Sequence, residues 1–111
     1  SKKSMKRIKE AVRAWKLNYK TFACLLDISN EVDTQISGWM NYYMKFGRSE
    51  FRKLLNYINE RLTRWGMRKY KRFSKGRKFG RAYDWLVEYA AHNRNEFSHW
   101  VKGFVPCPRL G

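Results

Sequence analysis

The sequence predicts an all-α protein, a small helical bundle with three main helices followed by short C-terminal helices. Apolar residues recur every three or four positions, which is the spacing of one helix face, rather than alternating as they do in a strand. Proline, which interrupts helices, occurs only at Pro106 and Pro108. The chain has 111 residues, of which 43% are hydrophobic, and this is enough for one domain with its own core. We assign residues 1–102 to that domain and residues 103–111 to a C-terminal tail.

The first helix is predicted from about Lys2 to Leu17. Ser1 or Ser4 stands where a side chain caps the first turn of a helix. One apolar stripe runs along the segment and comprises Met5, Ile8, Val12 and Trp15. The stripe indicates that this helix packs one face against the core and exposes the other.

The next stretch is predicted to form two helices, a short one from Leu25 to Val32 and a longer one from Thr34 to about Phe46. Asp33 is expected to cap the longer helix, because an aspartate side chain accepts hydrogen bonds from the first backbone N–H groups. Gly47 is expected to end it. A glycine in mid-helix costs about 1 kcal/mol relative to alanine, so we expect Gly38 to allow a close approach by another backbone or ring. The apolar face comprises Ile36, Trp39, Met40 and Tyr43.

The longest helix is predicted to be capped by Ser49 and to run to about Tyr70. Its core stripe comprises Phe51, Leu54, Leu55, Ile58, Leu62 and Trp65. The polar residues expected on the opposite side are Asn56, Asn59, Glu60 and Thr63. A loop at residues 74–78 leads to a helix from about Phe79 to Ala91, and Phe97 and Trp100 lie on a last short turn. The residues assigned to structure rather than to binding are Gly38, Trp39, Asn41, Tyr43, Trp65 and Trp100.

The formal net charge of +16 is the strongest functional signal in the sequence. The charge is segregated, because residues 61–81 contain ten Lys or Arg and no acid, whereas residues 21–44 contain three acids and no base. A helix normally mixes signs to gain favourable pairs, so a one-sided run is costly unless an anion meets it. Clustered cations release counterions when they bind a nucleic acid. A nucleic acid is therefore the expected partner, and a merely solubilising basic face is the alternative.

The candidate RNA-binding residues are two groups of cations and the aromatic Tyr42. We call the first group the basic segment: Arg61, Arg64, Arg68, Lys69, Lys71, Arg72, Lys75, Arg77, Lys78 and Arg81. We call the second group the N-terminal patch: Lys2, Lys3, Lys6 and Arg7. Tyr42, Tyr70 and Phe73 lie among or near these cations and are candidates to stack on unpaired nucleotides. For each aromatic taken alone, covering the edge of the core is the preferred interpretation.

Catalytic arrangements are weak in this sequence. His92 and His99 are seven positions apart, but Asn93–Asn95 is expected to interrupt the helix between them, which argues against an acid and base pair of the ribonuclease kind. Neither Tyr42 nor Tyr43 has the spacing to Arg and His that a tyrosine nucleophile requires. The acids form no carboxylate pair that would hold Mg²⁺. We expect a binding domain without a catalytic residue, a metal or a cofactor.

Cysteine usage and hydropathy indicate which kinds of site and which cellular location to expect. Cys24 and Cys107 are lone thiols, which indicates neither a zinc site nor a disulfide framework. No segment approaches the ~20 apolar residues of a membrane-spanning helix, and no signal peptide opens the chain. An acidic membrane surface is the competing target for the positive charge. We expect a cytoplasmic protein with no membrane partner.

Four blocks of the sequence resemble the maturase-specific domain, also called domain X or thumb, of bacterial reverse transcriptases encoded by group II introns. These blocks are SKKSMKRIKEAVRAW at 1–15, ISGWMNYYMKF at 36–46, LNYINERLTRWGMRKYKR at 55–72 and FSHW at 97–100. The second resembles the family's hallmark Arg-Gly-Trp-x-Asn-Tyr-Tyr, with Ser37 in place of the arginine. Asp33 and Thr34 stand where the family usually has Asn-Pro.

The resemblance implies a thumb-like bundle that binds its own group II intron RNA and assists splicing. It also implies a parent polypeptide that is an RNA-directed DNA polymerase, in which this domain follows the polymerase domain and grips template and primer. Mg²⁺ is expected only in that polymerase domain, whose catalytic residues are not in this sequence. The alternatives are a helical domain that binds double-stranded DNA and, less favoured, a small nuclease or strand transferase.

Overall fold

The computed structural model describes residues 2–43 and 48–108, together with their side chains except those of residues 2, 43 and 48. The described residues form five α-helices and no strand, which confirms the all-α class. The helices are α1 (Lys2–Ala14), α2 (Leu25–Tyr43), α3 (Arg48–Lys69), α4 (Lys78–His92) and α5 (Ser98–Val101). Short 3₁₀ turns at Leu17–Tyr19 and Lys71–Phe73 connect them.

α1 ends three residues earlier than the sequence predicts. Lys16 adopts a left-handed backbone conformation with φ 52°, which stops the helix and turns the chain into the first 3₁₀ turn. The predicted apolar stripe is confirmed in part, since Ile8, Val12 and Trp15 are buried and Met5 packs against their edge.

The prediction of two helices separated at Asp33 is wrong, because the structure has the single helix α2 there. The helix is continuous from Leu25 to Tyr43, because buried residues keep the helical spacing through the predicted break. These residues are Leu25, Ile28, Val32, Ile36 and Met40. Asp33 therefore does not cap a helix of its own. Its carboxylate instead accepts from the backbone N–H and the hydroxyl of Ser98, each at 2.7 Å, at the start of α5.

The predicted close approach at Gly38 is wrong, because a Cβ there would meet no atom of the described residues within 4 Å, apart from the nearby backbone of its own helix. The close approach occurs instead at Gly66 on α3, where a Cβ would lie 3.0 Å from the Trp85 ring of α4. Trp39 stacks on Trp15 with ring centroids 5.9 Å apart, and Asn41 is exposed. The side chain of Tyr43 and the predicted stop at Gly47 lie outside the described residues.

α3 runs through the centre of the bundle. All residues of its predicted core stripe are buried, which confirms that stripe. The start is different from the prediction, because α3 begins at Arg48 and Ser49 is its second residue rather than its cap. Of the polar residues expected outside, Asn59 and Thr63 are buried instead. They are buried because α4 and the C-terminal segment cover a second face of α3.

Asn59 is the centre of a buried polar cluster. Its side-chain oxygen accepts from Nε1 of Trp100 at 3.0 Å and lies 2.7 Å from Nε2 of His99. Its side-chain nitrogen donates to the carbonyl of Phe104 at 3.1 Å. Phe104, which lies in the segment predicted as a tail, is itself buried and meets the Phe51 ring edge-on. The polar cluster therefore ties the C-terminal segment to the middle of α3.

Candidate nucleic-acid interface

The exposed side of α3 carries the first half of the basic segment. Arg61, Arg64 and Arg68 follow one another at helical spacing, so their side chains lie on one strip of the helix. All three line a surface depression whose other wall is the first 3₁₀ turn, with Leu17 and Asn18. The structure thus brings these predicted residues together on one surface.

These cations are largely unneutralised. Among the residues that the structure describes, ion pairs join Lys20 to Glu31, Lys53 to Glu50, and Arg64 to Glu60. The Arg64 pair is an exposed contact of 3.2 Å within α3, and such pairs contribute typically about 0.3–0.5 kcal/mol. No other cation of the basic segment lies within 4.0 Å of a carboxylate oxygen in residues 2–43 and 48–108, although Lys69 is near enough to Asp27 to help lower the pKa of that carboxyl. We call Arg61, Arg64 and Arg68 the basic strip, and this strip presents a net positive field to solvent.

Lys69 differs from its neighbours in the basic segment because its ammonium group is held by the protein. It donates to the carbonyls of Thr21 at 2.9 Å and Ala23 at 2.7 Å, and it lies 5.4 Å from the centre of the Trp65 ring. Lys69 is half-buried, and its two hydrogen bonds connect the loop between α1 and α2 to the end of α3. Its contacts are those of a structural residue.

The second half of the basic segment lies on the turn between α3 and α4 and on the first turn of α4. The guanidinium of Arg72 lies 4.9 Å from the ring centres of both Tyr70 and Phe73. Arg81 Nη1 lies 3.4 Å from the Lys75 carbonyl, a long contact that helps to close this turn. The remaining members are exposed: Lys71, Lys75, Arg77 and Lys78.

The aromatic residues predicted to stack on nucleotides do not share one environment. Phe73 is 5% exposed and packs near Trp85, which confirms the preferred interpretation that it covers the edge of the core. Tyr70 is half-buried, with its ring 5.2 Å from Trp85. Tyr42 is 61% exposed, but it lies on α2, which contains no Lys or Arg.

The N-terminal patch is not joined to the basic segment. α1 and α3 run in the same direction, because Lys9 of α1 lies over the Tyr57 ring while Leu17, just after α1, lines a depression with Arg61 further along α3. The patch therefore lies beside the beginning of α3, whereas the basic segment starts in its second half. Lys3, Lys6 and Arg7 are exposed, and the side chain of Lys2 lies outside the described residues.

Sequence reasoning missed two exposed aromatics on the loop whose first 3₁₀ turn lines the depression with Arg61, Arg64 and Arg68. Tyr19 is 73% exposed and Phe22 is 85% exposed, and both lie in the loop between α1 and α2. A signal was present, because both residues fall between the two predicted helices of this region, where no apolar stripe requires them. An aromatic side chain outside every helical stripe is a candidate for a surface contact.

The histidines do not form a catalytic pair. His92 is exposed and its Nδ1 lies 2.9 Å from the Glu88 carbonyl. His99 is completely buried, and this burial lowers its pKa to about 3, so the ring is neutral at ordinary pH. The contact to Asn59 Oδ1 requires the proton on Nε2, and Nδ1 has no hydrogen-bond partner among the described residues. His99 is thus a buried structural group, which is the preferred interpretation of the sequence.

Other reactive groups are isolated in the part of the chain that the structure describes. Cys24 and Cys107 are free, exposed thiols. Cys24 donates from its backbone and its thiol to Asp27, and these hydrogen bonds lower the pKa of that carboxyl. Residues 2–43 and 48–108 contain no cluster of three or more His, Cys, Asp or Glu that could hold a metal ion. Over the same ranges, no helix has the length and apolarity needed to cross a membrane.

A family model described as the maturase-specific domain of group II introns matches residues 5–83. The matched stretch runs from α1 into α4 and includes the whole basic segment, whereas the FSHW block lies beyond it. Neither the curated proteins nor the solved structures give a match to this chain. Because the family model covers well over half of the chain, the protein belongs to the family of group II intron maturase-specific domains.

Proposed function

We propose that this chain binds group II intron RNA through the basic strip on α3 and thereby assists the RNA in reaching its splicing-competent fold. Membership of the family implies a maturase role in group II intron splicing. The observation that carries the finer proposal is the surface formed by Arg61, Arg64 and Arg68, which line one depression with only Arg64 paired to a carboxylate among the described residues.

The physical reason is that clustered cations gain more binding free energy from a phosphate backbone than scattered cations do. A phosphate backbone releases bound counterions when several cations meet it together, and this gain depends on cations lying along one surface. Guanidinium groups also bind phosphate oxygens through two parallel hydrogen bonds, which fixes the position of the backbone. Three arginines at successive turns of one helix provide both features.

We further propose that the domain acts as the thumb of a longer polypeptide. In that role it follows a polymerase domain, and the exposed cations of α1, α3 and α4 contact the template and primer backbone. The chemical steps would belong to the polymerase domain, including any that need Mg²⁺. The support for this part is the family membership together with a fold built of long helices. A cytoplasmic location stays a prediction.

The test is to replace Arg64 and Arg68 by glutamine and to measure binding to a group II intron RNA over a range of salt concentrations. We expect weaker binding, with a salt dependence whose slope falls by about 1 for each phosphate that the variant no longer neutralises. A matched control replaces Lys53 and Lys102, two exposed cations outside the basic segment and the N-terminal patch, and should change binding much less. Circular dichroism should show the same helix content in all three proteins.

Wild-type affinity and slope in the Arg64 and Arg68 variant would contradict the proposal. Equal losses in the control would show that net charge alone is responsible. Competition with a DNA duplex of equal length tests the alternative, because a clear preference for the duplex would favour a double-stranded DNA-binding domain.

A further inference from the structure

The loop between α1 and α2 is a folded turn that displays two aromatic rings. Phe22 and Tyr19 are the most exposed of the large hydrophobic side chains among the described residues. Their neighbours Leu17, Ala23 and Leu25 are buried in the core. The small and aliphatic residues of the loop thus pack in the core, while its two aromatic side chains lie in solvent. This division indicates a surface that is held ready for a ligand.

α3 fixes the backbone on both sides of Phe22. The ammonium of Lys69 donates to the carbonyl before it, at Thr21, and to the carbonyl after it, at Ala23. Trp65 Nε1 donates to the carbonyl of Lys20 at 2.8 Å, one residue further back. A ring on a backbone held in this way loses little further conformational freedom when it binds, so its contact energy goes into affinity.

The surroundings of this loop favour a polyanion. Asn18, directly before Tyr19, lines the same depression as Arg61, Arg64 and Arg68. Lys69, which holds the Phe22 backbone, directly follows Arg68 in α3. The two rings therefore lie on the loop whose first residues form the other wall of the depression lined by these arginines. Aromatic rings beside a cationic groove are the arrangement by which proteins hold unpaired bases.

We infer that Tyr19 and Phe22 stack on unpaired nucleotides of an RNA strand whose backbone lies along Arg61, Arg64 and Arg68. The inference rests on the proposed RNA-binding function and narrows its substrate to RNA with a single-stranded loop, bulge or end. Bases inside a duplex are stacked on one another and offer no free face to these rings. The two rings thus distinguish unpaired from paired RNA, while the arginines bind both.

The experiment compares two RNA probes of equal length, an unstructured single strand and a perfect duplex. Fluorescence anisotropy measures the affinity of the wild-type chain and of the variants Phe22→Ala, Phe22→Leu, Phe22→Trp and Tyr19→Ala for each probe. Phe22→Ala should lose roughly five- to a hundredfold in affinity for the single strand, the range of one base stacked on an aromatic ring. Its affinity for the duplex should stay within about twofold of wild type. Val101→Ala, which shortens another exposed apolar side chain, is the matched control.

The series at Phe22 separates stacking from simple apolar contact. Leucine keeps an apolar side chain but has no ring face, so Phe22→Leu should be as weak as Phe22→Ala and Phe22→Trp should bind as well as wild type. Equal binding of the single strand by wild type and Phe22→Ala would overturn the inference, and so would full activity of Phe22→Leu. Neither result would contradict the proposed function, because that function is tested separately by duplex binding and by the Arg64 and Arg68 variant. Absence of binding to both probes would contradict the two proposals together.

Discussion

α2 and α3 are the two longest described helices, and each buries one face in the same core, yet their exposed faces carry opposite charge. α2 contains Asp27, Glu31 and Asp33 and neither Lys nor Arg. The second half of α3 carries an exposed arginine strip. Because helices of both signs pack equally well in this fold, the bundle itself does not require the cations of α3. The difference therefore supports the proposal that those cations meet a ligand.

The two helices also differ in how they hold the C-terminal segment. α2 binds it at the rim of the core, where the half-buried Asp33 accepts from the half-buried Ser98. α3 binds it from the interior through Asn59. A polar group at the rim can exchange a lost partner for water, whereas a group in the interior cannot. The inner face of α3 should thus be the more sensitive of the two.

The largest effect is expected when Asn59 is replaced by leucine. The change leaves the ring N–H groups of His99 and Trp100 and the carbonyl of Phe104 without their partner. Each buried unpaired group costs about 1–3 kcal/mol, so the free energy of unfolding should fall by at least about 3 kcal/mol. Chemical denaturation measures the loss. Asn56→Leu, one turn earlier on the exposed side, should change stability by no more than about 0.5 kcal/mol.

A decrease below about 1 kcal/mol in Asn59→Leu would show that the polar cluster does not stabilise the interior of α3. A decrease of similar size in Asn56→Leu would show that the helix responds to leucine in general. Either result would remove the contrast between the inner face of α3 and the rim contacts of α2.

The second prediction concerns pH and the same cluster. Burial lowers the pKa of His99 to about 3 in the folded protein, against about 6.5 for an unfolded histidine. Between these values the unfolded chain binds a proton that the folded chain does not, so stability is full above pH 6.5 and falls as the pH drops. From about pH 8 to about pH 5 the loss of stability attributable to His99 should reach about 2 kcal/mol.

Denaturation curves at both pH values, recorded for wild type and for His99→Gln, test this prediction. Glutamine keeps an N–H donor and has no proton to gain, so the variant should lose less stability over the same interval. His92 is present in both proteins and cancels in the comparison. An identical pH dependence in the two proteins would contradict a neutral, buried His99.

The contrast between α2 and α3 also shows what sequence patterns can and cannot predict. Spacing identified the helical class and the apolar stripe of α3, because burial of one face imposes a 3.6-residue period that any helix must show. The same reasoning misplaced Asn59 and Thr63, because a period reports one buried face and α3 has two. Asp33 was misassigned for a related reason, since its partner Ser98 lies far along the chain and local capping rules do not include it.

The sequence predicts the cations of the candidate site, but not which aromatic side chains are exposed. A run of cations without acids is visible in the sequence whatever the fold. The sequence does not show that Lys69, unlike its neighbours in the basic segment, is held by the protein. That difference depends on loop carbonyls that approach its ammonium group only in the folded state. Exposure of Tyr19 and Phe22 has the same origin. Residues between helices have no period from which burial can be predicted, so their direction is decided by tertiary contacts.

The smallest effect should come from moving one charge from α3 to α2, and it tests directly whether the difference in charge between the two helices matters. Arg68→Gln combined with Thr34→Arg keeps the formal net charge at +16 but transfers a cation to the exposed side of α2. Thr34 lies midway between the buried Val32 and Ile36 and so faces away from the core. If position matters, the double variant should bind intron RNA as weakly as Arg68→Gln alone, a loss of severalfold. Recovery of wild-type affinity would mean that total charge governs binding, since nonspecific attraction depends on the field of the whole molecule.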